Sequence, residues 1–146
     1  MATSIFTIGY EAKTLSGLSN LLKKAAVEVV VDVRFLPLSR KPGFSKRAFA
    51  GFLTRRGFEY ISLRNLGTPP DIRRQYKLDN NFEVLISRYQ EYLFNNKESL
   101  KELYSLASTR RCCLLCYESS ANLCHRSVLA SVLSQVNGHK FHIHHL

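Results

Sequence analysis

Apolar residues recur along this chain in two rhythms, and their alternation predicts strands and helices in turn. Ser4-Ile5-Phe6-Thr7-Ile8 is short, partly β-branched and closed by Gly9, which marks a strand ending in a tight turn. Leu15, Leu18, Leu21, Leu22 and Ala25 follow the 3.6-residue period and predict a helix capped by Thr14 or Ser16. Val27 to Val33 is nearly continuous in valine, the pattern of a strand covered on both faces. Arg34 to Phe44 holds Pro37, Pro42 and Gly43 and reads as a loop. Ser45 then caps a helix over Lys46 to Arg56, Gly57 ends it, and Phe58 to Ser62 supplies a third strand.

Arg64 to Lys77 contains Leu66-Gly67-Thr68-Pro69-Pro70 and reads as a second loop, functional or mobile because plain connections are usually shorter. Helical stripes return over Phe82 to Leu93 and Glu98 to Ala107, parted by Asn95-Asn96. Arg111 to Tyr117 reads as a fourth strand, Asn122 to Gln135 as a helix, and Lys140 to His144 as a closing strand. The whole predicts a single three-layer α/β domain over residues 1–146, a mostly parallel sheet of about five strands flanked by helices. The expected order is the Rossmann-like 3-2-1-4-5.

Ligands of such sheets bind beyond the carboxyl ends of the strands, where strand order reverses. Three of those ends carry chemistry: Gly9-Tyr10-Glu11, Asp32-Val33-Arg34 and Cys116-Tyr117-Glu118. In the expected order they are neighbours and share one crevice. Cys124-His125-Arg126 follows six residues later, in the first turn of a helix, where unbonded amides and the helix dipole favour a thiolate. The helical phase places His125 in line with Leu129, Val132 and Val136, so it is expected to face the sheet, as acid or base toward Cys116 or Glu118 or as a partly buried structural group. Cys116 is either a nucleophile or a small buried hydrophobe. Asp32 and Glu118, with Glu11 in reserve, are hard oxygen ligands for a divalent cation, although Asp32 pairing with Arg34 is the equal alternative. Arg34 and Arg40 suit a phosphate or carboxylate, Arg126 adds positive charge, and Tyr10 and Tyr117 can stack on a ring or merely line the crevice.

Charge narrows the partners. Lys plus Arg number 21 against 11 Asp plus Glu, a net of +10, and the segment from Arg34 to Lys77 holds +9 of it. Such a field attracts phosphate-bearing partners and weakens with salt; a solvated basic face is the plainer reading. The four cysteines read as reduced, because Cys112, Cys113 and Cys116 crowd one apolar run and nothing points to secretion. Cys113 and Cys116 have a zinc-knuckle spacing, yet three residues apart in a strand they face opposite sides, so no metal site is assigned. His142 and His144 alternate with Phe141 and Ile143 as in a half-buried edge strand. No run spans a bilayer, and Met1-Ala2-Thr3-Ser4 has no export signal, so the expected location is the cytoplasm. Phosphate-loop and dinucleotide fingerprints are absent and no cofactor is assigned.

Thr7-Ile8-Gly9-Tyr10, Asp32-Val33-Arg34, Ser39-Arg40-Lys41-Pro42-Gly43-Phe44-Ser45, Leu66-Gly67, Leu114-Leu115-Cys116-Tyr117-Glu118 and Cys124-His125-Arg126 together resemble the bacterial and archaeal family called domain of unknown function 488. The resemblance covers almost the whole chain and implies an enzyme without a settled reaction. Family members often have Gly where this chain has Ala12, and an acidic spacer where it has Ser119-Ser120-Ala121-Asn122. Two functions follow: a small enzyme, hydrolase or transferase, acting on a nucleotide, nucleic acid or other phosphorylated substrate, or a noncatalytic nucleic-acid-binding module using residues 34–77. Oligomeric state is not assigned.

Overall fold

The valine-rich and apolar runs form strands within a residue or two of the expected positions. In the computed structural model, which describes residues 3–118, 125–135 and 141–146, the strands are β1 (Thr3–Gly9), β2 (Val29–Asp32), β3 (Glu59–Ser62), β4 (Cys112–Cys116) and β5 (Phe141–His145). The helices are α1 (Leu15–Lys24), α2 (Lys46–Arg55), α3 (Pro70–Asp79), α4 (Phe82–Phe94), α5 (Lys97–Thr109) and α6 (His125–Gln135). Thr14 caps α1 by accepting from Gly17 N at 2.9 Å, an interaction worth about 1 kcal/mol. Ser45 caps α2 by position only; its hydroxyl is turned back to Ser39. Cys124, the 119–122 spacer and Lys140 lie outside the described residues.

All five strands are parallel, but the order is β3-β2-β4-β1-β5 rather than 3-2-1-4-5. Burial fixes which strands lie inside, not their order. A central strand must be covered on both faces, and all five residues of β4 are buried, whereas β5 exposes His142, His144 and His145 and takes the edge. Both β1 and β4 are apolar enough for the centre, so their exchange leaves no mark on local sequence pattern.

Helices cover both faces of the sheet. Leu18 and Leu22 of α1 and Phe49 and Leu53 of α2 pack with Ile8, Val30 and Leu115. On the opposite face, Tyr89 of α4, Leu103 of α5 and Leu129 of α6 pack with Ile5, Val31 and Leu114. Right-handed crossovers account for the division: the chain runs outward from β1 to β3 with its helices on one face, then turns back through β4 to β5 with helices on the other.

The segment from Arg64 to Lys77 is structured, contrary to its reading as a loop. A 3₁₀ turn at Arg64–Leu66 leads to α3, which has Pro70 in its first turn, followed by Asp71. Only Ile72 of α3 is buried, so the helix carries no apolar stripe for periodicity to detect. No helix among the described residues is long and apolar enough to cross a membrane.

Candidate functional site

Main-chain pairing continues past the strand ends and builds a crevice of about 620 Å³ at the carboxyl edge of the sheet. Tyr10 N donates to Cys116 O at 3.1 Å and Glu11 N to Tyr117 O at 2.8 Å, while Val33 N donates to Leu115 O at 3.2 Å. The three strand ends are therefore adjacent, with β4 in the middle. From β1 the chain leaves toward one face and from β4 toward the other, so their ends flank the topological switch point.

At that point Cys116 Sγ, a Glu118 carboxylate oxygen and a His125 ring nitrogen lie within 4.8 Å of one another. The hydrophobic phase of α6 turns His125 inward, as its spacing predicts, and its Nε2 donates to Val33 O at 2.9 Å. In a neutral ring that bond leaves the lone pair on Nδ1. Its edge-on contact with Tyr89 has a centroid separation of 5.6 Å. Burial, above all, lowers the imidazole pKa, outweighing the Val33 bond and the charge of Glu118, so the ring is neutral near pH 7 and competent as a base.

Beneath the crevice lies the fully buried Arg126. Its Nε donates to Thr7 Oγ1 at 3.1 Å, and its Nη1 to Cys116 Sγ at 2.9 Å and to the main-chain oxygen of Glu118. Burial lowers its pKa and the charge of Glu118 opposes that change. Sulfur, oxygen and nitrogen donors at this spacing also make a three-ligand set of the kind that holds a transition metal with one position open, with the Val33 carbonyl as an outer partner to the histidine.

Asp32 does not line the crevice. Its Oδ1 accepts from Arg34 N at 3.2 Å and Nε at 2.8 Å, and its Oδ2 accepts from Arg34 Nη2 at 2.7 Å and Tyr60 Oη at 2.5 Å. These bonds commit both oxygens inside the protein, away from any shared metal. Arg34 also donates to Phe44 O at 2.7 Å, which ties the following loop down. Burial pulls the Arg34 pKa down, but Asp32 outweighs it and the net shift is upward; burial and then Asp32 raise that of Tyr60.

Of the other expected site residues, Tyr10, Glu11, Arg34, Arg40 and Tyr117 line the crevice. Gly9 pairs with Cys116 just below it, and Cys124 lies outside the described residues. The lining also includes residues with no counterpart among the expected ones, Leu36, Leu38, Thr68 and Tyr76 among them, while Lys41, Arg73 and Lys77 entered the expectations for their charge alone. The four-residue spacing of the last two, on a helix opened by Pro70, was the available signal. Cys112 and Cys113 are free and buried, which pushes the Cys112 pKa up to about 11 and that of Cys113 further still. The closing histidines tie β5 to β1: His144 Nε2 meets Ser4 Oγ at 3.2 Å and His145 Nδ1 meets Thr7 Oγ1 at 2.5 Å.

Fold and site together define a parallel α/β protein with a cysteine sulfur, an imidazole, a carboxylate and a guanidinium gathered at its switch point. The chain belongs to the family described as Domain of unknown function DUF488, whose model matches residues 14–133. No curated protein and no solved structure matches it. Ala12 has φ of 61° in the wall of the crevice. A Cβ in that conformation costs about 1 kcal/mol. Ala12→Gly is expected to stabilise the chain by that amount and to raise Tm by about 2–4 °C in thermal unfolding; an unchanged or lower Tm would refute the strain.

Proposed function

We propose that the crevice is the active site of a small enzyme that acts on an anionic substrate, a nucleotide, nucleic acid or other phosphorylated compound, through Cys116. What carries the reading is the convergence of Cys116, Glu118 and His125 within 4.8 Å at the end of β4. The charge of Arg126, 2.9 Å from the sulfur, weighs against a metal ion there, because a second cation would meet it. Once Cys116 is reduced, His125 takes the thiol proton. Sγ then bonds to the electrophilic atom of the substrate while the bond to the leaving group breaks, and the leaving group accepts the proton from His125. Water or another acceptor releases the group from sulfur. Five basic side chains against two acidic ones in the lining supply the attraction for an anion.

Alkylation tests this under reducing conditions, in a Cys124→Ser background. Cys112 and Cys113 are buried and do not line the crevice, whereas Cys116 does, so labelling with a small haloacetamide reports on Cys116. At pH 7 the folded chain should react about tenfold faster than the same chain in urea, since an ordinary thiol is only a few per cent ionised there. A rate no higher than that of the unfolded chain would refute the nucleophile. The noncatalytic alternative predicts oligonucleotide binding that survives loss of both Cys116 and Glu118 and falls steeply with salt.

A further inference from the structure

Five large hydrophobic residues are exposed among the described residues, and three of them, Leu36 (50%), Leu38 (72%) and Tyr117 (49%), line this one crevice. A single exposed leucine is ordinary; three large apolar groups gathered at one opening mark a binding surface. The loop that presents the two leucines is well braced. Lys46 N donates to Pro37 O at 2.9 Å, Ser39 and Ser45 bond to each other twice, and Arg64 Nε donates to Phe35 O at 2.8 Å. Tyr117 is braced as well. Its ring meets Tyr10 edge-on at 5.3 Å, and Tyr10 in turn stacks on Phe44 at 4.7 Å.

The same opening carries cations. Arg40 and Lys41 come from the leucine-bearing loop, and Arg73 and Lys77 stand one turn apart on α3. Lys41 Nζ donates to Tyr10 O at 3.0 Å, leaving the arginines and Lys77 as the principal anion-binding groups. A simple anion would make no use of the apolar groups, and an apolar ligand no use of the bases. The volume, about 620 Å³, lies within the range of small-ligand sites.

Resting on the reading of the crevice as an active site for an anionic substrate, we infer that its ligand is a nucleotide unit, with phosphate on Arg40, Arg73 and Lys77 and its base against Leu36, Leu38 and Tyr117. Stacking on an aromatic face suits any base, so this subsite recognises the ring more than its hydrogen-bonding edge.

Titration calorimetry of the reduced full chain with adenosine 5′-monophosphate, uridine 5′-monophosphate, ribose 5-phosphate and hexyl phosphate tests the assignment. Both nucleotides should bind about tenfold or more tighter than ribose 5-phosphate, and both tighter than hexyl phosphate. The exposed pair Leu36→Ser and Leu38→Ser should remove that advantage while leaving ribose 5-phosphate unchanged; Arg73→Gln with Lys77→Gln should weaken all four. A short single-stranded oligonucleotide separates the sources: if it alone binds, and loses affinity with the leucine pair, the unit belongs to a strand. Equal affinity for nucleotide and ribose 5-phosphate, preference for hexyl phosphate, absence of all binding, or indifference to the leucine pair would each overturn the inference. Binding is read without any reaction at sulfur. Slow alkylation of Cys116 alongside tight nucleotide binding would therefore remove the nucleophile and keep the subsite, and fast alkylation without binding would do the reverse.

Discussion

Asp32→Asn is expected to lower the unfolding free energy by about 3–5 kcal/mol, the usual cost of leaving one member of a buried ion pair alone. Asp32 is fully buried and Arg34 nearly so. The carboxylate accepts four hydrogen bonds, three from Arg34 and one from Tyr60. An amide in its place turns two donors toward donors and leaves the guanidinium uncompensated. The double variant Asp32→Leu with Arg34→Leu should lose less than Asp32→Asn alone, since it removes both charges together. Urea titration at neutral pH measures both. A loss below about 1 kcal/mol for Asp32→Asn would mean that the pair does not hold this end of β2, and would return Asp32 to the candidates for chemistry.

Gly67→Ala is expected to cost about 3 kcal/mol and to disturb His125 from a distance. The cause is proximity, since φ at Gly67 is an ordinary −82°. A Cβ there would stand 2.2 Å from Phe35 N, 2.7 Å from Phe35 Cα and 2.8 Å from Val33 O. All three atoms belong to main chain, so no side-chain rotation relieves the clash and the segment leaving β2 must shift. Val33 O is also the acceptor for His125 Nε2. The measurements are urea unfolding and the imidazole resonances of His125, which should move in Gly67→Ala but stay in place in Gly51→Ala, where the neighbour is only the tip of the Arg55 side chain. Unchanged stability and unchanged resonances would sink the proposal that Leu66-Gly67 acts as a close main-chain contact under the site.

Sequence pattern carried the strands and most helices because each is a local matter of apolar spacing and termination. Order in the sheet is not local. Val29–Asp32 and Cys112–Cys116 are both fully buried runs, and which strands flank which depends on crossovers tens of residues long. Helix α3 escaped for a different reason, since a helix resting on one buried isoleucine leaves no stripe. Within the site, Cys116, Glu118 and His125 were legible because strand ends and helix phase bring them together under either strand order. Asp32 stood among them by position at its strand end, but its side chain is taken up by Arg34 and Tyr60. Leu36, Leu38 and Tyr76 were not legible, because which way an exposed side chain faces is set by loop folding and by α3.

The central place of β4 also has a consequence for how the chain comes into being. Among the described residues, strand β1 pairs with β4 and β5, and β2 with β3 and β4. Until residues 112–116 leave the ribosome, β1 has no neighbour and the growing polypeptide offers only the short β2–β3 ladder. Pairing of β1 therefore waits for β4, roughly a hundred residues downstream, and until then this apolar strand stays unpaired and open to association with other nascent chains.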